Sequence, residues 1–190
     1  MTSKEKPTVV WFQAITCNGN THSLLSANSS RLELFFNSFN LIYHPSLTIE
    51  KTLDDILNQK EQIDFLLIEG AITSNEKFFS ISNDTTFNLL NKLALKSKYI
   101  IAVGSCASNG GIHTKFTQNN DIQGINDSID KQTINKLEHS IINLTGCPVH
   151  PEWILQTLFS LRDYGKMNLD EEKRPKVLYS SLSHHGCTRN

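Results

Sequence analysis

Four cysteines, Cys17, Cys106, Cys147 and Cys187, are the residues of this 190-residue chain best equipped for chemistry. Each stands beside glycine or proline, in "CNGN", "GSCASNGG", "TGCPVHP" and "HHGCTR". Such neighbours let the backbone approach closely and aim its amides at an anion. None of the cysteines belongs to a C-x-x-C pair, which argues against a zinc ribbon. A disulfide could use two of these thiols but not three, and disulfides are rare in cytosolic proteins. A free, buried cysteine is the ordinary reading of any one taken alone. Zinc could take three. An all-thiolate site at glycine-rich strand ends suits an iron-sulfur cluster better, because amides can hydrogen-bond the sulfurs.

The stretch "AITCNGNTHSLL", residues 14–25, concentrates the question. It follows an apolar run, "TVVWFQ", and places Cys17, Asn18, Gly19, Asn20 and His22 together. Asn20 stands three positions after Cys17, where a second cysteine would complete a pair.

The elements that must position these residues alternate in type. Apolar runs rich in β-branched and aromatic residues occur at Val9 to Gln13, Asn40 to His44, Asp64 to Glu69, Tyr99 to Gly104 and Ile141 to Leu144. Each is apolar nearly throughout, as a parallel strand covered on both faces should be. Helical spacing lies between them. Thr52 caps "TLDDILNQK", "TTFNLLNKLALKSK" ends in lysines, and "PEWILQTLFSLRDYG" opens on Pro151 and closes at Gly165. The alternation predicts an α/β fold with a parallel sheet. Cys17, Cys106 and Cys147 each follow a predicted strand, at the carboxyl edge where open parallel sheets bind ligands. Residues Gly110 to Asp130 read as a long irregular insertion. After Gly165 a charged linker is predicted, so that the main domain spans 8–165 and a second region 166–190.

Composition narrows the function. With 38% hydrophobic and 19% charged residues, the chain is globular rather than disordered. Its net charge of −1 gives no electrostatic case for nucleic acid or an anionic membrane surface. No apolar stretch is long enough for a signal peptide or a transmembrane segment. The expected location is cytoplasmic, with membrane association only through partners.

The segments "VVWFQAITCNGNTHSLL", "YHPSL", "IEGA", "IAVGSCASNGGI", "LTGCPVHPEWIL" and "HHGCTR" stand in the order found in small subunits of nickel-iron hydrogenases. The chain resembles that family from about Thr8 to Arg189. Asparagine in place of the second N-terminal cysteine resembles its cytoplasmic uptake or high-affinity branch. The resemblance implies a flavodoxin-like three-layer domain followed by a truncated C-terminal cluster-binding segment. It also implies that Cys17, Cys106 and Cys147 hold the cluster closest to the nickel-iron centre. Asn20 would occupy the fourth ligand position, and an amide is a poor iron ligand. The cluster is then 3Fe-4S, or 4Fe-4S with an oxygen, water or neighbouring side chain on one iron. His22 stands where the family commonly has glutamate. It could tune the cluster or relay protons, or be an ordinary surface histidine. His184 and Cys187 match two ligands of the cluster farthest from the active site. The rest of the cysteine-rich stretch is absent, so this chain alone completes neither outer cluster.

The function implied is electron transfer outward from a nickel-iron centre on a separate large subunit, to an acceptor protein or quinone pathway that the sequence does not specify. The chain lacks the two C-x-x-C pairs that bind nickel. Two alternatives stand beside this: a hydrogen-sensing regulatory subunit, and a flavodoxin-like binding module with structural thiols. A respiratory quinone-reducing subunit of related fold is disfavoured by the absence of its adjacent-cysteine pattern. Residues flanking the cysteines, Thr16, His22, Glu69, Ser108, Asn109 and His150, are the expected contacts with the large subunit.

Overall fold

Five parallel strands form the central sheet: β1 (Thr8–Gln13), β2 (Asn40–Tyr43), β3 (Ile63–Glu69), β4 (Ser97–Val103) and β5 (Ile142–Leu144). Their spatial order is β2-β1-β3-β4-β5, the doubly wound order whose direction reverses beside β1. The computed structural model describes residues 5–48, 51–81, 83–115 and 121–181. Register is continuous through the middle, with Phe12 against Ile68 and Ile68 against Ala102.

The near-continuous apolar runs are explained by burial on both faces. Alternate residues point to opposite sides of a strand. On one face Val10, Phe12, Leu66, Ile68 and Ile100 pack beneath helices α3 (Leu53–Asn58) and α4 (Thr86–Ala94). On the other, Val9, Trp11, Phe65, Leu67 and Ile101 pack against α1 (Gly19–Leu25), α2 (Ser29–Ser38) and α6 (Pro151–Tyr164). The short α5 (Ser105–Asn109) follows β4, and its Ala107 packs with the first face. Each fully buried side chain of this size contributes about 1.5–3 kcal/mol relative to exposure. The three layers and all five strands agree with the sequence.

Helix boundaries follow local chemistry. Thr52 and Asp55 form a reciprocal capping box at the start of α3. α6 begins with His150 accepting from the Glu152 amide and Pro151 in the first turn, and it ends at Gly165 with φ 72°. α4 stops at Ala94, earlier than its lysines suggest. Lys98 belongs to β4, and Lys96 reaches across to the Gln59 carbonyl at 2.7 Å.

Two segments differ from expectation. Residues 110–115 and 121–130 form short ordered elements in place of the expected irregular insertion. They contain a 3-10 turn at Gly111–Lys115, a short strand Ile122–Gln123 antiparallel to Ile72–Thr73, and a helical turn Ile125–Ser128. The segment after Gly165, expected as a charged linker, is hydrogen-bonded to β5 and the loop after it at residues 173 and 179. The Asn143 amide donates to the Lys173 carbonyl at 2.9 Å, and the Tyr179 hydroxyl donates to the Thr145 carbonyl at 2.8 Å. Met167, Leu169, Leu178 and Tyr179 add to the apolar layer there.

Candidate functional site

Three strands deliver three thiols to the carboxyl edge of the sheet. After β1 the chain runs through Ile15, bridged to Ala71, and turns at Asn18, whose φ is 61°. Thr16 braces that turn by accepting from the Asn18 amide at 3.0 Å, leaving Cys17 exposed. β4 ends at Val103, and Cys106 follows as the second residue of α5, half-buried. β5 ends at Leu144, and Cys147 is exposed three residues later.

The last two loops are zipped together. The Gly104 amide donates to the Leu144 carbonyl at 2.7 Å, the Ser105 amide to the Gly146 carbonyl at 2.9 Å, and the Gly146 amide to Ser105 Oγ at 3.3 Å. Cys17 closes the group. A Cβ on Gly19 would lie 3.2 Å from Cys17 Sγ and 3.9 Å from Pro148 Cβ, so that thiol lies close to the residue after Cys147. Burial pushes the Cys106 thiol pKa up, and the Cys147 and Cys17 thiols and the Glu69 carboxylate push it further. Gly111, with φ 58°, packs on Cys106 so tightly that a Cβ would stand 2.8 Å from the sulfur.

Which group three such thiols could hold depends on their spacing. Among the described residues, no three His, Cys, Asp or Glu side chains close around one point as a single metal ion requires. Thiolates on one tetrahedral zinc would be only about 4 Å apart, whereas those on a cuboidal cluster lie on the order of 6–7 Å apart.

Beneath the thiols lies a buried polar network centred on Glu69, which is fully inaccessible. Its carboxylate accepts from Trp11 Nε1 at 3.0 Å, Gln13 Nε2 at 3.3 Å, the Asn20 amide at 2.9 Å, the Thr21 amide at 3.3 Å and the Thr21 hydroxyl. His44, 1% exposed, extends it: the Ser46 amide donates to Nδ1 at 3.0 Å, which leaves Nε2 as the protonated nitrogen facing Thr21 Oγ1 at 3.2 Å. Burial lowers the His44 pKa, and the Glu69 charge partly offsets this. The network was not read from the sequence, although the buried strand end "IEGA" and "YHPSL" contained its two ionisable members.

The expected partner contacts divide accordingly. His22, Asn109 and His150 are exposed and Thr16 is partly so. Glu69 and Ser108 are instead buried and engaged, the Ser108 hydroxyl donating to the Gly104 carbonyl at 3.1 Å. Asn20 is buried behind Cys17, at 8% exposure. His184 and Cys187 lie outside the described residues.

Residues 17–161 match the protein family described as NADH ubiquinone oxidoreductase, 20 Kd subunit. The chain belongs to that family. This 20 Kd subunit family member is also similar to named hydrogenase subunits. The periplasmic NiFeSe hydrogenase small subunit of Desulfomicrobium baculatum is 29% identical, covering 96% of this chain and 65% of its own length. The periplasmic NiFe hydrogenase small subunit 1 of Nitratidesulfovibrio vulgaris is 27% identical, covering 100% of this chain and 61% of its own. The crystal structure of the reduced, active NiFeSe hydrogenase from Desulfomicrobium baculatum superposes with a TM-score of 0.82 at 26% identity, over 97% of this chain and 74% of that one. The chain therefore spans less than two thirds of the length of these curated relatives. No helix among the described residues is long and apolar enough to cross a membrane.

Proposed function

We propose that this member of the 20 Kd subunit family is the electron-transfer small subunit of a nickel-iron hydrogenase. Hydrogen is split on a separate large subunit, and Cys17, Cys106 and Cys147 hold an iron-sulfur cluster, 3Fe-4S or 4Fe-4S, next to it. The observation that carries this reading is that three thiols stand on the loops after three strand ends at one edge of the sheet, two of those loops joined by backbone hydrogen bonds and the third packed near Pro148. The relatives' names support the same assignment.

When bound, such a cluster supplies a one-electron carrier. The chain's own residues hold and shape its place. The zipped β4 and β5 loops fix Cys106 relative to Cys147. Gly111 shields one flank of Cys106, and the exposed Cys17 and Cys147 turn outward toward the large subunit. Glu69 and Thr21 anchor the start of α1 immediately behind Cys17.

The test is iron and acid-labile sulfide content, with electron paramagnetic resonance, on protein purified anaerobically together with its large subunit. Iron and sulfide are expected in stoichiometric amounts. Cys17→Ser, Cys106→Ser and Cys147→Ser should each lower both and slow hydrogen-driven dye reduction by at least about tenfold, the loss of one strong bond or contact being worth more than ~1.4 kcal/mol. Full iron content in all three variants would refute the assignment.

A further inference from the structure

Asn20 occupies the position at which the resemblance places a fourth cysteine ligand, yet its side chain is engaged elsewhere. Nδ2 donates to the Val103 carbonyl at 3.2 Å, and Oδ1 accepts from the Val149 amide at 3.0 Å. Its own backbone amide donates to Glu69 Oε1 at 2.9 Å. The two side-chain partners fix which end of the amide is which, since a carbonyl can only accept and an N–H can only donate.

The positions of those partners give the contact its meaning. Val103 is the last residue of β4, just ahead of Cys106, and Val149 follows Cys147 closely. Asn20 itself follows Cys17 in the first turn of α1. One amide therefore ties together all three cysteine loops, and through Glu69 the end of β3 as well. Gly104 makes the approach possible: with φ 95° it lacks the Cβ that would otherwise stand 2.3 Å from Nδ2. Turning the amide toward iron would leave a buried carbonyl and a buried N–H without partners, against a ligand that iron binds weakly.

We propose that Asn20 is a positioning residue that clamps the Cys17, Cys106 and Cys147 loops and makes no bond to iron. The described part of the chain then offers a three-thiolate donor set. This rests on the iron-sulfur reading above, but the clamp has a readout of its own.

The experiment compares Asn20→Asp and Asn20→Leu with the parent, each purified anaerobically with the large subunit. Aspartate keeps an acceptor for Val149 and loses the donor to Val103, whereas leucine of similar volume loses both. Hydrogen exchange at the Val149 amide should stay within about twofold of the parent in Asn20→Asp and accelerate on the order of tenfold in Asn20→Leu. Iron per chain should fall in both, further in the leucine variant. In the parent, labelling the asparagine carboxamide with ¹³C and ¹⁵N should give no hyperfine coupling of the size expected for an amide bound to the paramagnetic cluster through either oxygen or nitrogen. A strong coupling that appears on labelling and vanishes in Asn20→Asp would overturn the proposal, as would unchanged Val149 exchange in Asn20→Leu. A parent devoid of iron and sulfide would instead sink the iron-sulfur reading, while Val149 exchange would still decide the clamp.

Discussion

His44 is the residue whose state most depends on its surroundings. Its ring lies 5.6 Å from that of Trp11, it is 1% exposed, and Glu69 is the charged group that faces it. Protonating it would place a second N–H against the Ser46 amide that Nδ1 now accepts from. Burial therefore holds its pKa below the ordinary 6.5, with the Glu69 carboxylate opposing part of that shift. The sign follows from proton counting. Between the unfolded value, about 6.5, and the lower folded value, the unfolded chain binds more protons than the folded one. The histidine's contribution to stability is thus complete above about pH 6.5 and is lost as pH falls through the folded pKa. His44→Gln should remove that component. Urea midpoints at about pH 7.5 and pH 5.5 should differ more in the parent than in the variant, after allowance for the carboxylates common to both. Equal pH slopes would mean that folding leaves the His44 pKa unshifted.

At the scale of elements, the capped helix α3 offers a clean contrast with the cysteine loops. Thr52 accepts from the Asp55 amide at 3.2 Å, and Asp55 accepts from the Thr52 amide at 2.8 Å, an exposed pair that holds the Asp55 pKa below the usual carboxylate range. Thr52→Ala should cost about 1 kcal/mol in denaturant unfolding and leave iron content unchanged, because the cap's hydrogen bonds run only between Thr52 and Asp55. A loss of iron would mean that α3 transmits strain to the site. The contrast also shows what sequence can and cannot disclose. The Thr52 cap, the five strands and α6 were legible because each is written in contiguous residues. The thiol addresses were legible because glycine and proline mark where strands end. α1 was not: Asn20, Thr21 and Ser23 are buried in it, so polarity no longer marks its outer face. Its inward polar residues are satisfied by Glu69, Val103 and Val149, which lie 48 to 129 positions away. No local pattern encodes such partners. α2 had a signal in Asn28, which caps it through the Ser30 amide, followed by Leu32 and Phe35 at helical spacing. Residues 110–130 read as irregular because their short elements are completed by Ile72–Thr73, far back in the chain.

For the molecule as a whole, the carboxyl edge of the sheet is the face that the proposed function assigns to the large subunit. Cys17, Cys147 and His150 are exposed there, and Ile112 stands out at 65% exposure beside Gly111, the residue that covers Cys106. A single exposed isoleucine is ordinary on any surface, so its location carries the argument. An obligate interface at this edge would bury more than about 2,000 Å² and place apolar anchors near its centre. Ile112→Asp should then weaken association with the large subunit on the order of tenfold or more. The change should leave the fold within about 0.5 kcal/mol, because the side chain packs little in the free chain. Leu95, 52% exposed just before β4 begins, lies at the opposite, amino edge of the sheet and supplies the control. Leu95→Asp should leave association unchanged. Both variants can be titrated against the large subunit and followed by co-elution at graded concentration. If Leu95→Asp weakens binding as much as Ile112→Asp, or if neither does, the large subunit does not dock on the cysteine edge.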